Sequence, residues 1–520
     1  MTPTIAAFSL DSETLWKAGA ITIYAVVLLI IGYVASRRTT DIRDYFVGGK
    51  KLGFINVAFS ARATGESAWL LLGLTGMGYS VGVHAFWVVL GEVIGVGGAW
   101  LFMARRFKRL TDRYDSVTVP DYLESRLRDN GHWIRLIAAG ALLIFVPIYA
   151  GAQVHAAGGA FFSFLGINHY VGATIGFAIV LVYITQGGFT AVVWSDVFQG
   201  ALMFLGLVIL PVVALSHAGG LVNITEALRE QDPELLTLSG PGGWTALSIV
   251  SVIGLAGIGI GFLGSPQVFV RFISLKNEQQ ILPGLTTAVI WTVFADSGAV
   301  LIGIFGRALF HQELGDAGEE VLPYMAETLL HAAFTGAFIA MVLSAIMSTI
   351  DSLLVLASSA AVRDYWQKTR HPEMSDEQLV SSGRKLTFIL SLVAFAVGIG
   401  ILLYDKEQGI FWTIIFGWSG IAATFCPTII LSLFWSKLTA LGAKCAMLAG
   451  FIAVPLFKFA APPVMRASGW ERGPEYLDKL DVLFPAFAVG FLVAIAVSLA
   501  DRSGQARLEG VAEELEAAGR

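Results

Sequence analysis

Long apolar runs separated by short polar connections extend along the whole chain. A helix needs about 17 to 20 apolar residues to cross the hydrocarbon core of a bilayer, and thirteen runs reach that length. Their lengths and their lack of apolar–polar alternation exclude barrel strands, so the pattern predicts an all-α membrane protein. The first run has no small-residue cleavage site and is expected to remain as a membrane helix. The predicted spans are residues 17–36, 54–79, 84–104, 133–163, 170–186, 191–215, 244–275, 285–310, 325–362, 385–404, 409–435, 440–459 and 482–500.

The connections between these runs alternate in charge. Basic residues follow the odd-numbered spans, beginning with Arg37, Arg38, Arg43, Lys50 and Lys51, and continuing with the cluster at residues 105–128. The intervening loops, such as 76–84, 226–234 and 311–320, are neutral or acidic. Lys and Arg in short loops favour the cytoplasmic side, so the pattern predicts an N-terminus outside and a C-terminus inside.

Composition excludes other classes of protein. Only 14% of the 520 residues are charged and 56% are hydrophobic, whereas soluble domains have about 25% charged residues. A formal charge of −5 provides no electrostatic footprint for nucleic acid. Cys426 and Cys445 lie in apolar surroundings, which indicates core packing rather than a disulfide or zinc site. No zinc-site, nucleophile-elbow or Walker-type pattern occurs, so we do not expect an enzyme.

Two of the predicted helices are interrupted. Gly65 lies among polar residues in the middle of span 2, and the glycine-rich stretch Gly254 to Gly264 in span 7 leads into Ser265 and Pro266. Glycine and proline weaken a helix, and unwound backbone at membrane depth survives only beside protein or a watery cavity. Broken helices at matching positions of two inverted five-helix repeats, here about 54–215 and 244–435, indicate a transporter's central site. The alternative is that the small residues only allow close helix packing.

Span 9 and span 2 carry polar groups that suit an ion. Ser348 and Thr349 are adjacent hydroxyls, and a hard cation such as sodium favours hydroxyl and carbonyl oxygens, although such hydroxyls also bond back to the preceding turn. Arg62 and Glu66 are four residues apart and either form a structural ion pair or place a carboxylate near sodium, where it could also exchange a proton. Further ionisable residues in the spans are Glu92, His155, Asp196, Asp296 and Asp351.

At these residues the chain resembles the sodium:solute symporter family, and within it most closely the members that transport proline. The resemblance implies a LeuT-like fold of about thirteen transmembrane helices in a bacterial inner membrane. Residues 1–504 would form the symporter domain, and 505–520 a solvated cytoplasmic tail too short for an effector domain. The matching stretches are residues 44–50, 60–76, 120–122, 187–192 with Asp196 and Gln199, 264–267 with Arg271 and Phe272, and 347–349.

The resemblance also implies a set of site residues. Sodium would lie between spans 2 and 9, on the carbonyls of Ala63, Glu66 and Ala345 and the hydroxyls of Ser348 and Thr349. The solute cavity would be formed by Ser67, Trp69, Gly73, Tyr149, Ile258, Phe262 and Pro266. Arg62, Asp196 and Asp351 would serve coupling or gating. The chain departs from the proline-transporting pattern at Gly65, which replaces an Asp, at Ile258 and Phe262, which replace a Trp and a Tyr, and at Arg62, which replaces a small residue.

These features predict a sodium-coupled secondary active symporter that imports a small organic solute, with proline or another amino acid expected. Sugar, nucleoside or carboxylate transport, proton coupling through Glu66, and a transporter-like sensor are the alternatives. The expected partners are the solute and the lipid bilayer, and the oligomeric state stays open.

Overall fold

The computed structural model describes residues 12–37, 42–184, 188–240, 242–404 and 410–520. Arg38 of the first basic loop and Gly187 of the matching stretches lie outside them. Within the described ranges the chain forms helices and no β-strand, and Leu52 pairs with Leu275 in an isolated bridge.

Nineteen helices of nine or more residues are labelled in chain order, some of them extended by shorter segments. They are α1 (Ser12–Ser36), α2 (Phe54–Gly65), α3 (Trp69–Leu74 with Thr75–Val81), α4 (Phe86–Gly98 with Ala99–Met103 and Ala104–Arg113), α5 (Val119–Leu127), α6 (Trp133–Leu165), α7 (His169–Ile184), α8 (Gly188–His217), α9 (Leu221–Gln231), α10 (Ala246–Gly257), α11 (Pro266–Ser274), α12 (Ile281–Leu314), α13 (Val321–Leu329), α14 (Ala332–Ser359 with Ala360–Arg370), α15 (Asp376–Tyr404), α16 (Ile410–Phe434), α17 (Ala440–Pro455), α18 (Leu483–Ala500) and α19 (Val511–Gly519), all within the described ranges.

Eleven helical segments of the described residues are long and apolar enough to cross a membrane. Every predicted span falls on a helix or a broken helix, but α7 is a shorter apolar helix and α3 runs with α4 in one candidate segment. Thirteen crossings therefore stay a prediction. The expected start of span 9 at residue 325 is wrong, because α13 ends at Leu329 and α14 begins after His331, whose ring accepts a hydrogen bond from the Ala333 N–H at 3.3 Å.

Burial separates a central helix from a lipid-facing rim. All residues in the 18-residue apolar stretch of α14 are buried inside the protein (100%), whereas only 22% of the corresponding stretch of α1 is buried. Outer helices expose large apolar side chains such as Ile94, Val212 and Leu492. A water-soluble surface would not carry so many of them, so this rim faces lipid. At the centre, α14 contacts α2, α6, α8 and α11.

Both predicted interruptions are present, and they face each other. α2 ends at Gly65, Glu66 takes an extended conformation, and the helix resumes at Trp69. α10 ends at Gly257, a tighter turn covers Ile258–Leu263, and α11 begins at Pro266, where a missing N–H is harmless. A Cβ on Gly65 would lie 2.6 Å from Cε1 of Phe262. Close packing also matters, since a Cβ on Gly261 would overlap the ring of Trp418.

The C-terminal helix α19 is packed rather than solvated, contrary to expectation. Val511, Leu515 and Ala518 are buried on its inner face. Arg106 and Arg109 of α4 donate hydrogen bonds to the carbonyls of Leu515 and Ala518 at 3.2 and 3.4 Å. Guanidinium groups stabilise the last carbonyls of a helix, which explains why this short segment docks.

Candidate functional site

The break in α2 places backbone oxygens beside the hydroxyls of α14. The Ser348 hydroxyl lies 2.8 Å from the Ala63 carbonyl oxygen and 3.2 Å from that of Ala345. The Thr349 hydroxyl donates to the Thr64 carbonyl at 3.2 Å. Both hydroxyls are fully buried. The Ser348 hydroxyl thus joins the implied ligands Ala63 and Ala345, whereas the Thr349 hydroxyl bonds to Thr64, which was not among them. Glu66, the fifth implied ligand, follows directly at the break.

Ser67 and Trp69 are held in place at the break itself. Gln153 of α6 accepts a hydrogen bond from the Ala68 N–H at 3.1 Å and donates to the Ser67 hydroxyl at 3.0 Å. The Trp69 indole donates to the Gly65 carbonyl at 3.1 Å, which ties α3 to α2. Gln153 was not among the residues predicted from sequence, although an amide in the middle of an apolar run is a usable signal.

The other implied solute residues lie mainly against α16. The Trp418 indole donates to the Ile258 carbonyl at 3.3 Å, and its ring centroid lies 4.9 Å from that of Phe262. A Cβ on Gly417 would lie 2.7 Å from Cβ of Tyr149. Pro266 begins α11 and closes the second break. Trp418 is a residue that sequence reasoning missed, because an indole in an apolar span gives no signal of its own.

A cavity of about 730 Å³ opens at one end of the bundle and leads towards these residues. Gly73, Leu255 and Phe411 line it, together with the acidic segment at residues 316–320. Trp69 and Phe411 pack edge to face with ring centroids 6.0 Å apart. Ser67, Trp69, Tyr149, Ile258 and Phe262 are all at most 3% exposed. Phe411 therefore lies between the cavity and the buried Trp69, whereas Gly73 faces the cavity directly.

Glu319 holds the start of α16, including Phe411, in place. Its carboxylate accepts hydrogen bonds from the N–H groups of Ile410 and Phe411 at 3.0 and 3.2 Å, at the start of α16. Burial raises the pKa of Glu319, and these two hydrogen bonds partly offset that effect. A carboxylate at a helix N-terminus is also favoured by the helix dipole.

Asp196 lies in a buried network beside the part of α2 that precedes the break. Arg271 of α11 donates to Asp196 at 2.9 Å and to the hydroxyls of Ser60 and Ser352 at 2.7 Å each. Ser60 also donates to Asp196 at 2.5 Å. This network joins α2, α8, α11 and α14. Asp351, adjacent to Ser352, is fully buried in α14.

Arg62 and Glu66 form a buried ion pair, as their spacing predicted. The structure adds two more acids, because Arg62 also lies 3.7 Å from Glu92 of α4 and 3.6 Å from Asp296 of α12. Its guanidinium stacks over Phe262 at 4.9 Å. Each of the four charges was visible in the sequence, but their meeting depends on how three segments pack.

Comparison with known proteins places this geometry in a family. The family model for the sodium:solute symporter family matches residues 45–450. The high-affinity proline transporter PutP of Bacillus subtilis is 33% identical, over 91% of this chain and 95% of that protein. The osmoregulated proline transporter OpuE of the same organism is 30% identical, over 95% and 97%. The sodium/proline symporter of Escherichia coli is 28% identical, over 94% and 93%.

Solved structures share the fold. A sodium-coupled sialic acid symporter in an outward-open state aligns with a TM-score of 0.74 at 18% identity, over 92% of this chain and 98% of that one. Mhp1, a nucleobase-cation-symport-1 family transporter, aligns with a TM-score of 0.51 at 13% identity, over 91% and 98%. The predicted LeuT-like fold is confirmed, and the relatives are transporters rather than enzymes. With its multi-pass membrane architecture and sodium as coupling ion, the chain belongs to the sodium:solute symporter family.

Proposed function

We propose that this protein imports proline together with sodium across the inner membrane of a bacterium. The observation that carries the proposal is the convergence of the Ser348 and Thr349 hydroxyls on carbonyl oxygens at the break in α2. The names of the relatives support proline as the solute, since PutP and OpuE of Bacillus subtilis are both proline transporters.

In this proposal, sodium binds to the carbonyls of Ala63, Glu66 and Ala345 and to the hydroxyls of Ser348 and Thr349. Insertion of the ion replaces hydroxyl-to-carbonyl hydrogen bonds with ion contacts, and it links α2 to α14. The link stabilises the state in which the cavity is open to the solute. Each sodium moving inward gains about 2.3 kcal/mol per 100 mV of membrane potential, which drives accumulation.

Proline would bind between the two breaks, past Phe411. Its carboxylate would face the N-terminus of α3, where the helix dipole favours an anion. Its ring would contact Trp69, Tyr149, Ile258 and Phe262, with Ser67, Gly73 and Pro266 completing the site. Arg62, Asp196 and Asp351 would act during closure and release.

The sodium site is tested by uptake of labelled proline into proteoliposomes. The double variant Ser348→Ala, Thr349→Ala removes both hydroxyls, and we expect its uptake to lose dependence on an imposed sodium gradient. Ser344→Ala is the matched control, because its hydroxyl bonds back to the Ala340 carbonyl at 2.8 Å on the same helix. Unchanged sodium dependence in the double variant would reject the site.

The solute is tested by counterflow with proline, other amino acids, sugars, nucleosides and carboxylates, with and without sodium. Proline is expected to exchange fastest, and only with sodium. If a different solute exchanged and proline did not, proline would be rejected as the solute, and the assignment to the family would be unaffected. Proline uptake driven by a pH gradient without sodium would instead assign coupling to a proton.

We also propose the predicted orientation, with the N-terminus outside and residues 505–520 in the cytoplasm. Glu514 of the tail forms ion pairs with Arg113 and Arg128 at 3.3 and 2.9 Å, so the tail and the basic loops lie at one end of the bundle. The excess of basic residues at that end supports its assignment to the cytoplasm.

A further inference from the structure

Three carboxylates meet in the protein interior beside the break in α2. Glu66 lies at the break, Glu92 on α4 and Asp296 on α12, and one oxygen from each lies within 4.8 Å of the others. All three side chains are 0% exposed. We call these residues the acidic trio. They come from three separate segments, so their meeting is a product of the tertiary fold.

Only part of the trio's charge is compensated. In the described part of the chain, Arg62 is the basic residue within ion-pair distance of the trio. If all three acids are ionised, one guanidinium leaves two negative charges in a site closed to water. Buried charges of this kind are strongly unfavourable without a counter-ion.

Arg62 is not free to neutralise all three acids through hydrogen bonds. Its guanidinium lies between the rings of Phe262 and Trp291, at 4.9 and 5.3 Å from their centroids. One amino group engages Glu66, while Nε and Nη1 have no hydrogen-bond partner. The aromatic contacts hold the group in place by cation–π attraction.

The carboxylate oxygens themselves lack donors. Both oxygens of Glu92, both of Asp296 and one of Glu66 are buried without a hydrogen bond. Arg62 approaches Glu92 and Asp296 only to 3.7 and 3.6 Å, beyond hydrogen-bond distance. Nearly all buried polar atoms in proteins have a hydrogen-bond partner, so this cluster of unsatisfied carboxylate oxygens, with one from each residue within 4.8 Å of the others, indicates a missing ligand.

We propose that the acidic trio binds a second sodium ion, separate from the one between α2 and α14. Oxygens lie about 2.3–2.6 Å from a hard cation of this size, so two on opposite sides of it are roughly 4.6–5.2 Å apart, as in the trio. A sodium ion halves the uncompensated charge. Glu66 also precedes the N-terminus of α3, whose dipole offsets part of the remainder.

Glu66 connects the two ions. Resting on the proposed function, its backbone carbonyl contributes to the first sodium site while its side chain belongs to the trio. Occupancy of the trio orders residue 66 and with it the unwound segment that carries the first site. Each ion therefore raises the affinity for the other.

The test is binding of ²²Na⁺ to the purified full-length protein by equilibrium dialysis, without solute. We expect two sodium ions per wild-type chain, and one in each of the variants Glu92→Gln and Asp296→Asn. Asp364→Asn is the matched control, since Asp364 is equally buried but accepts hydrogen bonds from Thr118 and Arg363. Two ions in both trio variants, or displacement of the trio's sodium by calcium or magnesium at equal concentration, would overturn the proposal.

The variant Ser348→Ala, Thr349→Ala separates this proposal from the first one. If both are right, it binds one sodium, and that ion still raises its melting temperature. If it binds two, the α2–α14 site is wrong while the trio stands. A wild-type protein that binds one ion, lost in this variant, keeps the first site and rejects the trio. This comparison tests the trio site even if the variants Glu92→Gln and Asp296→Asn fail to fold.

Discussion

Gly65 occupies a position where a side chain has no room. A Cβ there would lie 2.6 Å from Cε1 and 2.9 Å from Cζ of Phe262, at the point where the two broken helices meet. Gly65 and Phe262 are both positions at which the chain departs from the proline-transporting pattern. The two departures are linked by packing, because the side chain of an Asp at residue 65 would not fit beside the Phe262 ring. The carboxylate of this region is carried instead by Glu66, which turns towards Arg62.

The variant Gly65→Ala is expected to lose most of its sodium-dependent uptake. Overpacking of this kind costs about 1–3 kcal/mol, and here the strain falls on the break that carries the proposed sodium ligands. Initial uptake rates at fixed sodium concentration measure the effect. Gly140→Ala in α6 is the control, because no atom lies within 4 Å of its added Cβ. Equal losses in the two variants would contradict the packing argument.

At the scale of elements, the docking of α19 depends on one carboxylate. Glu514 accepts hydrogen bonds from the Tyr114 hydroxyl and from Arg113 and Arg128. Partial burial acts to raise the pKa of Glu514, but Tyr114 and the arginines outweigh it, and the net pKa is lowered. A lowered pKa in the folded state means that ionised Glu514 stabilises the docked helix.

The stabilisation of docked α19 by Glu514 is therefore expected to be complete well above the ordinary pKa of Glu, about 4.3, and to be lost progressively as the pH falls from there through the lower pKa of the docked carboxylate. Hydrogen exchange of residues 511–519, measured across this pH range, reports docking. Glu514→Gln should expose the helix even at neutral pH. Glu516→Gln is the control, since Glu516 pairs only with the exposed Arg520 among the described ion pairs. Equal protection in both variants would show that apolar packing alone holds the tail.

At the scale of the whole molecule, the two ends of the bundle differ in chemistry. One end has the cavity, with Asp316, Glu319 and Glu320 at its edge. The other end has the docked tail, the arginines of α4 that contact it, and Arg128, which follows α5. This asymmetry is the basis of the proposed orientation.

Cysteine labelling on intact cells checks that orientation. In a background with Cys426→Ala and Cys445→Ala, we expect Ser80→Cys in the cavity to react with a membrane-impermeant maleimide from outside. Ser503→Cys beside the tail should react only after permeabilisation. Both positions are exposed to solvent, so a difference in labelling reports the side of the membrane rather than burial. The reverse pattern would invert the topology.

Much of this architecture follows from local properties of the chain. Helix positions followed from the lengths of the apolar runs, and the breaks near Gly65 and Pro266 followed from residues that weaken a helix wherever they occur. The sequence prediction placed the start of α14 too early and expected α19 to be solvated. Both were wrong, because a short break and a contact between helices depend on neighbouring segments.

The pairing of Arg62 with Glu66 could be predicted from sequence, because a spacing of four residues brings two side chains together on any helix. The roles of Gln153, Trp418 and Phe411, and the meeting of Glu92 and Asp296 with that pair, were decided only by the tertiary structure. The physical reason is that apolar runs and helix breaks are encoded within one segment. The distance between charges on different helices, in contrast, is set by which faces those helices bury against one another.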